Sequence, residues 1–182
     1  MSFSDKPGII VGISACLLGE PVRYDGQHKC DQELIRVLAA RFRLQSFCPE
    51  VAIGMGVPRP PIQLQQQGGR IHAVGVDDGA GDVTCTLQDV GKAFSHQYPE
   101  ICGYVFKSRS PSCALHTAAI FQHSTCIADN GTGVFAEALL AAQPLLPVAE
   151  DSQLQDPQAI HDFSDKVVHY HEARQAQRIN RY

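Results

Sequence analysis

The chain has 182 residues, with 15 Lys plus Arg against 19 Asp plus Glu, a formal charge of −4. A hydrophobic share of 44% with 19% charged residues excludes a disordered chain, and mild acidity without a basic run gives no electrostatic footprint for duplex nucleic acid. Seven cysteines, an odd number in a chain long enough to build its own core, argue against a disulfide scaffold and for the reducing cytoplasm, where thiols bind metal or do chemistry.

Residues 1–8 read as a flexible N-terminus. Ile13-Ser14-Ala15-Cys16 looks like a lipoprotein cleavage box, but the apolar run before it, Ile9 to Ile13, is shorter than the about 7–15 residues a signal needs. Ile9–Ala15 reads instead as a strand buried on both faces, because the run is continuous and not alternating. Asp31 is placed to cap a helix through Arg41, with Leu34, Ile35, Leu38 and Phe42 along one stripe. Leu44–Cys48 reads as a second strand, stopped by Pro49. Arg70–Val76 and Asp82–Leu87, about a Gly- and Asp-rich turn, read as a hairpin. A helix follows over Leu87–Tyr98, then a third core strand over Gly103–Lys107. Gly133–Ala142 is an apolar helix, and Leu145–Val148 a short strand after it. Asp156-Pro157, an N-cap and first-position pair, opens a polar C-terminal helix across residues 156–178. No apolar run nears the roughly 20 residues of a membrane helix.

Strands alternating with helices predict a single α/β domain over residues 1–182. Its sheet is mostly parallel and Rossmann-like, with helices on both faces and a small β-hairpin added. In such sheets ligands sit beyond the carboxyl ends of the strands. The first strand runs into Cys16, the second ends at Cys48, and the third ends in Lys107-Ser108-Arg109-Ser110-Pro111-Ser112-Cys113. Three thiols are therefore expected on one edge of the sheet. Three thiolates suit a soft metal or an iron–sulfur cluster, and a 4Fe-4S cluster so held keeps one iron open as a Lewis acid. The competing reading, that free cysteines are small buried hydrophobes, stands beside it at this level.

Two other patterns compete. Cys113-x2-His116 and His123-x2-Cys126 have zinc-like spacing, although the loop between them is short for a zinc module. Gly131-x-Gly133-x-x-Ala136, with Glu150 about 20 residues on, resembles a dinucleotide fingerprint. Ala128-Asp129-Asn130 reads as a turn, so no core strand feeds those glycines; the helix N-terminus still offers N–H groups to an anionic or carbonyl ligand. None of the eight histidines is assigned to chemistry.

Five segments together carry a resemblance. They are Ser14-Ala15-Cys16-Leu17-Leu18-Gly19, Val22-Arg23-Tyr24-Asp25-Gly26, Cys48-Pro49-Glu50, Pro58-Arg59-Pro60-Pro61, and Lys107 through Cys113. In this order they resemble the family of domain of unknown function 523, which includes the thiouracil desulfidases, over roughly residues 9–148. The resemblance implies a 4Fe-4S cluster held by Cys16, Cys48 and Cys113, and hydrolytic, non-redox removal of sulfur from a small thiolated nucleobase, 2-thiouracil to uracil plus sulfide. It implies Glu50 as catalytic base and Ser110 as a catalytic proton carrier or substrate contact. Ser14, Arg23, Asp25, Arg59 and Ser112 belong to the same motifs and are candidates for substrate binding or support of the site. Asp25-Gly26 is also a turn signal, and Glu50 and Ser110 have plain structural readings as a cap and a turn opener.

The chain departs from the family pattern at Ala114-Leu115, where a glycine is expected after the third cysteine, and at Gln63-Leu64. A side chain at 114 is expected to crowd the site or change its substrate. Cys30, Cys85, Cys102 and Cys126 have no family role, and Cys30 is near enough in sequence to reach an open iron. Two other functions remain at this stage: an iron–sulfur redox-sensing or binding domain without desulfidase activity, and a zinc-stabilised interaction module.

Overall fold

The computed structural model describes residues 8–77 and 81–179; the expected N-terminal segment lies outside these apart from Gly8. Strand β1 (Ile10–Ser14) pairs in parallel with β2 (Arg43–Phe47) on one side and β5 (Ile101–Phe106) on the other, and β5 pairs in parallel with β8 (Val148–Glu150). The order β2-β1-β5-β8 is an all-parallel sheet. Every residue of β5 is buried, as a central strand covered on both faces requires.

Helices α1 (Gln32–Arg41) and α5 (Pro157–Ile179) cover one face, where Leu34, Leu38, Phe163 and Val167 pack on Val11, Ile13 and Val105. Asp31 caps α1 as expected, its Oδ1 accepting the Leu34 N–H at 3.0 Å. Asp156 does the same for α5 through the Ala159 N–H at 2.9 Å. Helices α3 (Thr84–Gln97) and α4 (Val134–Ala142) cover the other face, with Phe94, Phe135 and Leu139 against Ile101, Tyr104 and Phe106. They approach closely because residue 91 is glycine: a Cβ there would lie 2.7 Å from Phe135 O.

The expected small hairpin is half of a second sheet. β3 (Ile62–Gln67) pairs antiparallel with β4 (Arg70–Gly75), in parallel with β6 (Ala118–Gln122), and β6 pairs antiparallel with β7 (Thr125–Gly131). Its order is β4-β3-β6-β7. The hairpin partner of β4 is thus β3, not Asp82–Leu87. Gly68 and Gly69, both at positive φ, make the tight turn that right-twisted strands demand. Among the described residues Asp82 keeps a single bridge, to Val74, and its Oδ1 accepts the Thr84 N–H at 2.9 Å, which starts α3 three residues before the expected Leu87. Leu64, Ala73 and Ala118 of this sheet pack on Leu87 and Val134, so α3 and α4 form a layer shared by both sheets.

Two smaller differences complete the fold. The last strand is Val148–Glu150 and not Leu145–Val148, because Leu146 N–H closes a turn on Gln143 O and Pro147 offers only its carbonyl, to Tyr104 N–H at 3.0 Å. Ala128–Asn130 is strand and not turn. No helix among the described residues is long and apolar enough to cross a membrane.

Candidate active site

The strand order reverses between β1 and β5, and ligands of parallel sheets bind outside such a point. Three short devices leave the strands there. Ala15–Leu18 forms a single 3-10 turn ending on Gly19 at φ 92 and carries Cys16. Cys48 is the N-cap residue of α2 (Pro49–Ala52), with Pro49 at its first position and Glu50 behind it. The 107–113 loop after β5 carries Cys113. All three cysteines and Glu50 line one cavity of about 440 Å³, together with Ser14, Arg23, Arg59, Lys107, Arg109 and Ser110.

The thiols feel one another. Burial pushes the Cys16 thiol up to about 11, and repulsion from Cys48 contributes to that rise. Burial raises Cys48 and lifts Cys113 well above an ordinary cysteine, with Cys48, Glu50 and Cys16 adding repulsion at Cys113. Such a site disfavours three bare thiolates and favours cationic metal among them. Among the described residues no three His, Cys, Asp or Glu side chains close on one ion. A single ion at a metal–sulfur distance near 2.3 Å would draw its thiolates to roughly 4 Å of one another. Three soft donors lining one cavity without closing on a single ion fit a multi-iron cluster. The zinc arrangement is not formed: Cys113 is buried at this cavity, His116 is exposed, and Cys126 is exposed on β7 with its Sγ on Ala128 O at 3.3 Å. Cys30 packs against Gly19 and does not line the cavity.

Glu50 is held at both carboxylate oxygens. Ser112 Oγ donates to Oε1 at 2.8 Å, while Arg59 Nε donates to Oε2 at 2.8 Å and Nη2 stands 2.7 Å from the same oxygen as an ion pair. Arg59 is itself fixed, its N–H on Tyr24 O and Nη1 on Gly56 O. Ser110 Oγ accepts the N–H groups of Ser112 and Cys113 at 3.2 and 3.1 Å, which leaves its own proton free to donate. Ser14 Oγ accepts the Lys107 N–H at 3.0 Å. Arg23 lines the cavity, and Asp25 does not: it sits beside Arg23 Nε at 3.4 Å and accepts Gln27 N–H, as a turn residue does.

Asp151 and Thr117, which sequence reasoning missed, hold this loop together with Glu150, which it had placed only in the dinucleotide-like pattern. Lys107 Nζ donates to Asp151 Oδ2, and Ser108 N–H to Asp151 Oδ1, each at 2.6 Å. Glu150 is 2% exposed, and its Oε1 accepts from Leu115 N–H at 2.6 Å and from Thr117 Oγ1 at 2.7 Å. Thr117 Oγ1 in turn accepts the N–H of Arg109, whose φ of 60 is left-handed. The Lys107–Asp151 pair is mostly buried, so Asp151→Asn is expected to cost on the order of 3 kcal/mol by stranding a cation, read as a lowered denaturant midpoint.

The fingerprint glycines serve the chain itself. Gly133 N–H donates to Ala114 O at 2.7 Å, Val134 N–H to Pro111 O at 3.0 Å, and Phe135 N–H to Ser112 O at 3.0 Å. The N-terminus of α4 is consumed by the cysteine loop and is not open to a ligand. Ala114 and Leu115 face inner cores and do not line the cavity, so neither crowds it. Gln63 and Leu64 lie on β3, also away from the lining.

A family model described as 2-thiouracil desulfurase matches residues 11–151. The Bacillus subtilis (strain 168) protein YbbK, described as uncharacterized, is 27% identical over 153 residues, which is 79% of this chain and 97% of YbbK. A solved structure of the [4Fe-4S]-dependent thiouracil desulfidase TudS superposes with a TM-score of 0.65 at 34% identity, covering 87% of this chain and 99% of TudS.

Proposed function

The chain belongs to the 2-thiouracil desulfurase family, and on that premise we propose that it is a [4Fe-4S]-dependent desulfidase converting 2-thiouracil and water to uracil and sulfide. Its free thiols suit work in the cytoplasm. Cys16, Cys48 and Cys113 would hold the cluster. When bound, the cluster supplies a thiophilic Lewis acid for the C=S sulfur at the iron that no protein thiolate occupies.

The observation that carries the proposal is a braced carboxylate sharing one cavity with three thiols from three strand ends. The reaction replaces C=S by C=O without electron transfer, so it needs a base for water. Glu50 fills that role in the proposal. An ionised carboxylate has about four acceptor positions. Hydrogen bonds from Ser112 and Arg59 use two and fix its plane, which leaves room for a water that gives up its proton to Glu50 as its oxygen attacks carbon. The Ser110 hydroxyl, with its lone pairs turned to the loop N–H groups, donates toward the substrate ring. Arg23, on the cavity wall, orients a ring carbonyl.

The test is anaerobic reconstitution of the native chain beside a Cys16, Cys48, Cys113 to Ser triple variant. About four irons per chain with 2-thiouracil consumption and matching sulfide, all absent from the variant, is the expected result. A reconstituted chain that holds zinc or no metal, or that holds the cluster and leaves 2-thiouracil intact, overturns it.

A further inference from the structure

Arg109 lines the cavity and immediately precedes Ser110, yet its φ of 60 lies in the left-handed region. That conformation is rare for a residue with a long side chain and persists only where neighbours over-determine it. Asn and Asp ease such a turn with their own short polar groups, and arginine has none. The hold on residue 109 comes from elsewhere.

It comes through a two-step relay. Arg109 N–H donates to Thr117 Oγ1 at 2.7 Å, and Thr117 Oγ1 donates to Glu150 Oε1 at 2.7 Å. A hydroxyl has one proton to give, and an ionised carboxylate only accepts. The Thr117 proton therefore goes to Glu150, and a lone pair is left for Arg109. Glu150 is buried and stands across from Phe106 where β8 pairs with β5, level with the start of the loop. The same Oε1 accepts Leu115 N–H at 2.6 Å. One oxygen thus holds the loop at both ends, residue 109 through Thr117 and residue 115 directly. Between those ends lie Ser110, Ser112 and Cys113.

We propose that Thr117, which does not line the cavity, is a positioning residue for the desulfidation: held by Glu150, it keeps Arg109 left-handed and so aims the Ser110 hydroxyl at the substrate. The inference rests on the substrate contact assigned to Ser110 above. Cys113 is secured separately, because Val134 N–H and Phe135 N–H of α4 hold the loop at Pro111 O and Ser112 O.

The experiment measures kcat and KM for 2-thiouracil, with iron per chain, after anaerobic reconstitution. It compares the native chain, Thr117→Val, Thr117→Ser, Ser110→Ala and the double variant of Thr117→Val with Ser110→Ala, with turnover taken per cluster. Thr117→Val keeps the size of the side chain and removes the hydroxyl. It is expected to keep its iron and to lose about 10-fold in kcat, short of the about 100-fold that a 1 Å misplacement can cost. Thr117→Ser is expected to stay near native. In the Ser110→Ala background Thr117→Val is expected to cost nothing further, since effects that pass through a shared residue do not add. If Thr117→Val does not fold, Thr117→Ala removes the same hydroxyl and takes its place. Native kcat in Thr117→Val, the same fold loss in both backgrounds, or loss of iron in Thr117→Val overturns the relay and leaves Ser110 in its role. Native turnover in Ser110→Ala overturns that role and this inference with it.

Discussion

The Glu50→Gln variant is expected to keep its iron and to lose about 10²–10⁴-fold in 2-thiouracil turnover, the range a positioned general base contributes. Glutamine preserves length and still offers an oxygen to Ser112. Its amide cannot accept a proton from water, and it presents a donor to the donors of Arg59. The comparison therefore needs iron content and thermal midpoint beside the rate. Full iron with collapsed turnover assigns Glu50 to the chemistry. Full iron with native turnover removes it. The same pair of readings separates an enzyme from a cluster-bearing sensor, which requires the three thiols and has no use for a base.

Gly133→Ala is the second large effect. A Cβ at 133 would lie 2.4 Å from Ser112 C, 2.5 Å from Cys113 N and 2.6 Å from Ser112 O. These are backbone atoms and have no rotamer to escape into. Either α4 or the cysteine loop must move, and overpacking of this kind costs about 1–3 kcal/mol. Because Phe135 N–H and Val134 N–H hold that same loop, the shift carries Cys113 away from Cys16 and Cys48. Iron per chain is expected to fall along with the melting temperature. Gly131→Ala is the control: its Cβ would crowd Ile120 Cγ1 at 2.8 Å and Ala118 O at 2.9 Å, in the second sheet. It should lose comparable stability and keep its iron. A Gly133→Ala chain with native iron would show that the glycine does not set the position of Cys113.

The cysteine trio was legible because a parallel sheet directs whatever follows its strands to one edge, and continuous apolar runs mark such strands plainly. Ile10–Ser14, Arg43–Phe47 and Ile101–Phe106 fell within two residues of their expected places, and each led to its cysteine. Glu50 was singled out by the resemblance carried in Cys48-Pro49-Glu50, and Pro49 at the start of α2 sets it next to Cys48. The second sheet was not legible. Ile62–Gln67 is rich in Gln and carries little strand character, so its hairpin was assigned to the wrong neighbour although Gly68-Gly69 marks the turn.

What the sequence determined by itself is the order of the strands' ends and the three thiols they deliver. Local pattern suffices for that, since each feature lies within a few residues of the element that positions it. What only the tertiary structure decided is everything that holds those groups to a geometry. Ser112 reaches Glu50 across 62 residues, Lys107 reaches Asp151 across 44, and Glu150 reaches Leu115 across 35. Tyr104 packs across β1 only because residue 12 is glycine, where a Cβ would lie 2.4 Å from Tyr104 Cδ2. Hydrogen bonds and close packing depend on distance in space, and no periodicity along the chain encodes them.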